Sequence, residues 1–162
     1  MEFKEKLDKL TKLNRERSGQ LERNKKIWIK EVNTLYKTIE EWFDEYIQKG
    51  RIIIDFEKLQ YAECEEFFLE THIMLLNFGG EQGLTVIVEP TGINIAGALG
   101  KIDIYFRGHK DESFFLLLIE DDLENFHWEI RINKKSQTDL IKFTKESFEN
   151  ILNECLDKWT DI

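Results

Sequence analysis

The sequence predicts an α+β fold: an N-terminal helical arm, an antiparallel sheet of about five or six strands, and a C-terminal amphipathic helix packed on the sheet. The first observation is the glycine distribution, because residues 1–49 contain one glycine, Gly19, and no proline. Seven of the nine glycines and the sole proline fall between Gly79 and Gly108. The second is a change from helical to alternating apolar spacing near Gly50. One domain is expected, comprising a helical arm (1–50) and an α+β body (51–162).

The arm carries two apolar helical faces in succession. Residues of the first recur at three- and four-residue spacing: Phe3, Leu7, Leu10 and Leu13. Ser18–Gly19 is expected to interrupt the helix, and a second helix is expected from about Gln20 to Gln48. Its apolar stripe is longer and comprises Trp28, Val32, Leu35, Ile39, Trp42, Phe43 and Tyr46.

The heptad register of the first stripe limits how the arm can pair. Continuing the Leu7/Leu10 register places four residues on the seam, Asn14, Arg17, Leu21 and Asn24, of which three are polar. This argues against a long, stable coiled coil and allows a short one with a specified register, whereas the stronger second stripe is expected to pack on the body of its own chain. Two arrangements stay open at this stage: the arm folds back at Ser18–Gly19, or it projects and pairs with another chain.

The body predicts a meander of strands separated by glycine-rich or acidic turns. The segment 79–83 predicts a hairpin turn, and Glu89–Gly92 a second turn around Pro90. The expected strands are 52–54, 67–78, 84–88, 93–95, 101–107, 113–119 and 127–133. Segments 101–107 and 127–133 alternate apolar and polar residues, whereas Phe114–Ile119 does not and should be covered on both faces. The polar face is expected to be covered by an arm helix or a partner.

The C-terminal helix has a clear start signal. Thr144 is the expected N-cap, and Phe143 and Phe148 occupy the two positions of a hydrophobic staple. The residues beyond form one apolar stripe for packing on the sheet: Phe148, Ile151, Leu152, Cys155, Leu156 and Trp159.

Charge and cysteine content restrict the class of partner and compartment. The formal net charge is −9, with 12 basic against 10 acidic residues in 1–50 and 11 against 22 in the rest. The acidic body disfavours broad nucleic-acid binding, which remains an alternative only for the basic lead of residues 1–26. Cys64 and Cys155 form no CxxC pair and are expected as free thiols. No apolar run is long enough to span a bilayer, so a soluble cytoplasmic protein without membrane contact is expected.

One enzymatic alternative is a metal-dependent nuclease. Asp103 on one strand and Glu120 at the end of the next resemble the metal-binding arrangement of PD-(D/E)xK nucleases, which implies carboxylates that hold Mg²⁺. The position of the nuclease lysine, however, is occupied by Asp122. A variant pairing joins Asp103 to Glu129 and Arg131 across an intervening strand. Acidic turns and cross-strand charge pairs account for the same residues, and the three histidines show no ligand spacing, so no metal or cofactor is expected.

A second resemblance covers residues 88–104. The segment Val88-Glu-Pro-Thr-Gly-Ile-Asn-Ile-Ala-Gly-Ala-Leu-Gly-Lys-Ile-Asp-Ile104 is similar to an EPxGxxIxGAxGxxD pattern in small bacterial proteins of no settled activity. The resemblance implies a compact α+β fold and a bacterial or phage source. It implies no catalytic residues.

The function that the sequence favours is a non-catalytic interaction or regulatory module that binds a protein partner, or itself, through the N-terminal helices. The second helix carries more apolar surface than one contact face requires. The residues expected to contact a partner come from this helix and from the polar face of the sheet: Trp28, Ile29, Trp42, Phe43, Lys101, Tyr105, Arg107 and His127.

Overall fold

The computed structural model describes residues 2–58, 71–80, 82–95, 98–121, 125–132 and 140–160. The helices are α1 (Phe3–Trp42), α2 (Asp44–Gln48) and α3 (Lys145–Trp159). The strands are β1 (Ile52–Lys58), β2 (His72–Phe78), β3 (Leu84–Ile95), β4 (Ala98–Phe106), β5 (Phe114–Glu120), β6 (Phe126–Arg131) and β7 (Leu140–Lys142).

The strands form one antiparallel meander in which spatial order follows chain order from β1 to β7. The α+β prediction with helices at both ends is confirmed, with seven strands rather than five or six. The hairpin at 79–83 is also confirmed, because Gly79 and Gly80 adopt φ of 83° and 95° between β2 and β3. The expected segments 84–88 and 93–95 form the single strand β3, and the three-residue strand β7 was not predicted.

The arm differs from its prediction because α1 runs through Ser18–Gly19 as a single helix of 40 residues. A glycine in a helix costs only about 1 kcal/mol relative to alanine, which the neighbouring helical turns offset. The helix then ends at Trp42, where Phe43 leaves helical geometry and α2 begins. The expected continuous helix to Gln48 is therefore divided into two.

Strand β3 also departs from its prediction, because Pro90 lies inside a continuous strand and not in a turn. The β3–β4 register shifts between Pro90 and Gly92, which marks a bulge. The β2–β3 ladder ends at the Met74–Val88 pair, so Pro90 is not required to donate a hydrogen bond to β2.

The core lies between one face of the sheet and the helices α1 and α3. Trp28 is fully buried and packs directly on β4, where a Cβ at Gly100 would lie 2.3 Å from its ring. Strand β5 is buried on both faces as predicted, since Phe114 to Leu118 are all buried. The expectation that an arm helix covers the polar face is wrong, because α1 packs among the core residues of the opposite face.

Helix α3 begins as predicted. The Thr144 hydroxyl accepts a hydrogen bond from the Ser147 amide at 3.1 Å, and the Ser147 hydroxyl accepts one from the Thr144 amide at 2.8 Å. The rings of Phe143 and Phe148 meet at 5.2 Å, which forms the staple. This capping fixes the start of α3, whose residues Phe148, Ile151 and Leu152 close one end of the core.

Candidate interaction surface

Helix α1 consists of two parts with opposite environments. From Trp28 onwards, residues of one face are buried in the core: Trp28, Val32, Leu35, Tyr36 and Ile39. Every residue from Glu2 to Gln20 is exposed. Residues 3–20, called the free arm, therefore extend beyond the body by about 27 Å at 1.5 Å per residue. Of the two arrangements left open by the sequence, the structure has the projecting arm.

The free arm carries an apolar stripe, Phe3, Leu7, Leu10 and Leu13, that is exposed along its whole length. Phe3 is 77% exposed, and each leucine is roughly half exposed, between 46% and 52%. At 100° per residue, Phe3, Leu7 and Leu10 lie on the same face of α1 as Trp28 and Val32. The same helical face is therefore buried in the core from Trp28 onwards and exposed to solvent in the free arm.

The charges nearest this stripe are mostly basic. On the helical wheel, Lys6 and Arg17 lie within the stripe, Lys4 and Glu16 lie on its two flanks, and Glu5 and Asp8 lie on the opposite side. The arm stripe is therefore an apolar surface with mainly basic margins.

An ion pair fixes the place where the arm leaves the body. Arg23 Nη2 lies 2.8 Å from Glu120 Oε1 at the end of β5. Immediately before it, a groove of about 310 Å³ is lined by Arg17, Gln20, Leu21 and Asn24. Gln20 donates a side-chain hydrogen bond to Asn24 at 3.3 Å, which holds one wall. We refer to these four residues as the arm-base groove.

The aromatic residues that the sequence offered as partner contacts are mostly core residues. Trp28 is 0% and Phe43 is 3% exposed, so neither presents surface to a partner. Trp42 is half-buried against Phe143 and Phe148, and Ile29 is half-buried. The large apolar surface of the helix predicted from Gln20 to Gln48 is accounted for by its packing against the sheet. The four residues of the arm stripe, which the sequence identified as a helical face, were not among the predicted contacts.

The sheet face opposite α1, called the second face, holds the predicted polar contacts. Tyr105 Oη donates to Glu89 Oε2 at 2.5 Å, and burial of the phenol, reinforced by this carboxylate, raises the pKa of Tyr105 well above its usual value. Lys101 Nζ lies 3.4 Å from Asp103 Oδ1 and 4.3 Å above the Phe115 ring. These polar groups satisfy one another within the sheet.

Two more residues of the predicted polar set are more accessible. The Arg107 Nη2 atom lies 3.9 Å from Glu57 Oε1, and both side chains are more than half exposed. His127 Nε2 lies 3.2 Å from Glu129 Oε1. The first contact joins β1 to the residue that follows β4, although these strands are not neighbours in the sheet, and the second lies within β6.

The structure does not bring together the carboxylates of the nuclease alternative. Asp103 pairs with Phe115 in the β4–β5 register and is on the second face, whereas Glu120 is on the core-side face and is paired with Arg23. Asp103 and Glu129 share a face but are separated by β5, whose Phe115 and Leu117 lie between them. Arg131 is opposite Phe115, and Asp122 lies outside the described residues.

In the part of the chain that the structure describes, no group of three or more acidic, histidine or cysteine side chains could hold a metal ion. Cys155 is half-buried, and burial raises the pKa of its thiol to about 11, which suppresses the thiolate. Among the described helices, none is both long and apolar enough to cross a membrane.

Comparison with known proteins adds no relative. Scans against protein-family models, curated proteins and solved structures each found no match to this chain.

Proposed function

We propose that the protein is a non-catalytic interaction module that binds another protein chain through the exposed face of its N-terminal arm. The observation that carries this proposal is the arm stripe, in which Phe3 is 77% exposed and three leucines are about half exposed. A bacterial or phage source and a cytosolic, regulatory setting belong to the same proposal.

The apolar side chains of the arm stripe are in contact with water, which is unfavourable in free energy. Apolar surface contributes about 25 cal/mol per Å² when it is removed from water. Helices in folded proteins owe most of their stability to the packing of an apolar face rather than to helix propensity. Because the free arm has no described contact with its body, a partner on the stripe would supply the packing that the helix lacks.

The margins of the stripe restrict the chemistry of the partner. Lys4, Lys6 and Arg17 favour a surface that presents apolar side chains flanked by acidic ones. Helical pairing provides this arrangement, since a helix places its flanking charges beside its apolar seam. The second face is a weaker candidate, because Lys101 and Tyr105 are engaged with Asp103 and Glu89.

A pair of matched variants tests the proposal. The stripe variant carries Leu7→Gln and Leu10→Gln, which remove two apolar side chains without a change of charge. The back-face variant carries Glu5→Gln and Lys12→Gln, which also introduce two glutamines, leave the net charge unchanged, and lie on the opposite side of the helix. Both pairs are exposed, so folding of the body should be unaffected.

The measurement is the elution volume of the tagged full chain on size exclusion, in extract of its source cells and after purification. We expect the wild type and the back-face variant to elute above the 19.4 kDa monomer in extract, and the stripe variant to elute as the monomer. Elution of all three as monomers in extract would overturn the proposal.

A further inference from the structure

We infer that the chain bound by the arm is a second copy of this protein, and that the two arms pair antiparallel over residues 3–21, with Phe3 of each copy seated in the arm-base groove of the other. This inference rests on the proposed function, since it names the partner of the same surface. It is argued from the groove, the heptad register, the flanking charges and the length of the free arm.

The arm-base groove has the pattern of a coiled-coil hole. Its lining residues Arg17, Gln20, Leu21 and Asn24 are spaced i, i+3, i+4 and i+7, the four positions that receive one knob from a facing helix. The groove measures about 310 Å³, which leaves room for a large side chain. Phe3 is the largest and most exposed side chain of the arm stripe, at 77%.

The heptad register places Phe3 at this hole only in an antiparallel pair. Seating Phe3 against Leu21 of the second copy aligns Leu7 with Arg17 and Leu10 with Asn14. Phe3 then meets an apolar residue, Leu7 is covered by the aliphatic part of the Arg17 side chain, and Leu10 meets the short polar side chain of Asn14. Leu13 of one chain lies beside Leu13 of the other chain, near the twofold axis. The polar seam positions that argue against a long coiled coil thus have defined partners.

The charges beside the seam are complementary in this register. Lys4 of one copy lies beside Glu22 of the other, and Lys6 lies near Glu16, so that each basic margin meets an acidic residue. A parallel pair would instead place Arg17 opposite Arg17. It would also bring both bodies to the same end of the paired helices.

The length of the free arm matches the overlap. Residues 2–20 are exposed, and the Arg23–Glu120 ion pair marks the start of the body. An overlap of residues 3–21 uses the whole free arm and stops where the opposite body begins. The resulting dimer is closed by a twofold axis, as most homo-oligomers are.

Disulfide trapping tests the register directly. In a background with Cys64→Ala and Cys155→Ala, chains carrying Phe3→Cys are mixed with chains carrying Leu21→Cys and oxidised. We expect a disulfide-linked heterodimer and no Phe3→Cys homodimer, because the two Phe3 positions would lie about 27 Å apart. Chains with Glu5→Cys, on the back of the helix, serve as the control and should not link to Leu21→Cys.

Sedimentation of the purified, cysteine-replaced parent supplies the second readout. We expect a dimer whose dissociation constant rises at least about 100-fold in the stripe variant, since four leucines per dimer lose their burial, and is unchanged in the back-face variant. A Phe3→Cys homodimer would overturn the antiparallel register. If the purified protein is a monomer but its elution in extract depends on the stripe, the second copy is not the partner and the proposed function stands. If the protein is a monomer in extract and after purification, the proposed function and the inferred dimer are both wrong.

Discussion

At the residue scale, the contact between Gly100 and Trp28 decides how α1 is seated on the sheet. A Cβ at Gly100 would lie 2.3 Å from Trp28 Cζ3, and the indole is fully buried, so the ring cannot move aside without displacing its neighbours. We expect Gly100→Ala to lower the free energy of unfolding by about 1–3 kcal/mol, measured by urea denaturation. The opposite result, a gain from lower chain entropy, would show that the helix can shift.

The same substitution at Gly19 is the matched control. Nothing lies within 4 Å of a Cβ there, and the residue is inside α1. Gly19→Ala should therefore leave the stability of the body unchanged and increase the helicity of the arm. In the Gly100→Ala variant, Trp28→Leu should restore part of the lost free energy of unfolding, because the smaller side chain makes room for the new Cβ. A double-mutant cycle measures this coupling.

At the element scale, α3 depends on its N-terminal cap. The Thr144 hydroxyl accepts from the Ser147 amide at 3.1 Å, an interaction that alanine cannot make. We expect Thr144→Ala to lower the free energy of unfolding by about 1 kcal/mol, again by urea denaturation. Thr34→Ala, the same chemical change at an exposed position within α1, should have little effect or a small favourable one. Equal losses for both variants would contradict the capping argument.

The elements also show which information the sequence contains. The cap of α3, the glycine hairpin and the burial of β5 were predictable, because each depends on neighbouring residues. The passage of β3 through Pro90 was not, since non-local strand pairing outweighs a local breaker. The passage of α1 through Gly19 was not either, because a single glycine costs a helix only about 1 kcal/mol, which the neighbouring turns offset. The predicted contacts Trp28 and Phe43 are buried for a related reason: an apolar stripe shows that a face is covered, but not by what.

The candidate site was predictable in the same partial way. The spacing of Phe3, Leu7, Leu10 and Leu13 gives the stripe, and the heptad gives Arg17 and Leu21 as seam positions. Their exposure follows only from the projection of the arm beyond the sheet, which depends on the position of Trp28 over Gly100. The groove, including Gln20, therefore appears only once the helix is placed.

At the scale of the whole molecule, α1 joins a half that is packed in the core to a half whose residues are all exposed. Backbone amides of residues 28–42 should exchange with deuterium only on unfolding of the core. Those of residues 3–20 belong to a helix of marginal stability in isolation and should exchange quickly in dilute solution. Because the proposed pairing of two arms is concentration-dependent, we expect protection of residues 3–20 to rise at least about tenfold from dilute to concentrated protein, while that of residues 28–42 stays constant.

Hydrogen exchange with mass spectrometry, on the wild type and the two arm variants, separates the alternatives for this helix. The stripe variant should lose the concentration dependence because Leu7 and Leu10 no longer support pairing, and the back-face variant should retain it. Slow exchange of residues 3–20 that does not vary with concentration would mean that the arm is stable alone, which would contradict its dependence on a partner. Concentration dependence in the core residues as well would mean that association stabilises the whole fold, so that arm and body unfold as one cooperative unit.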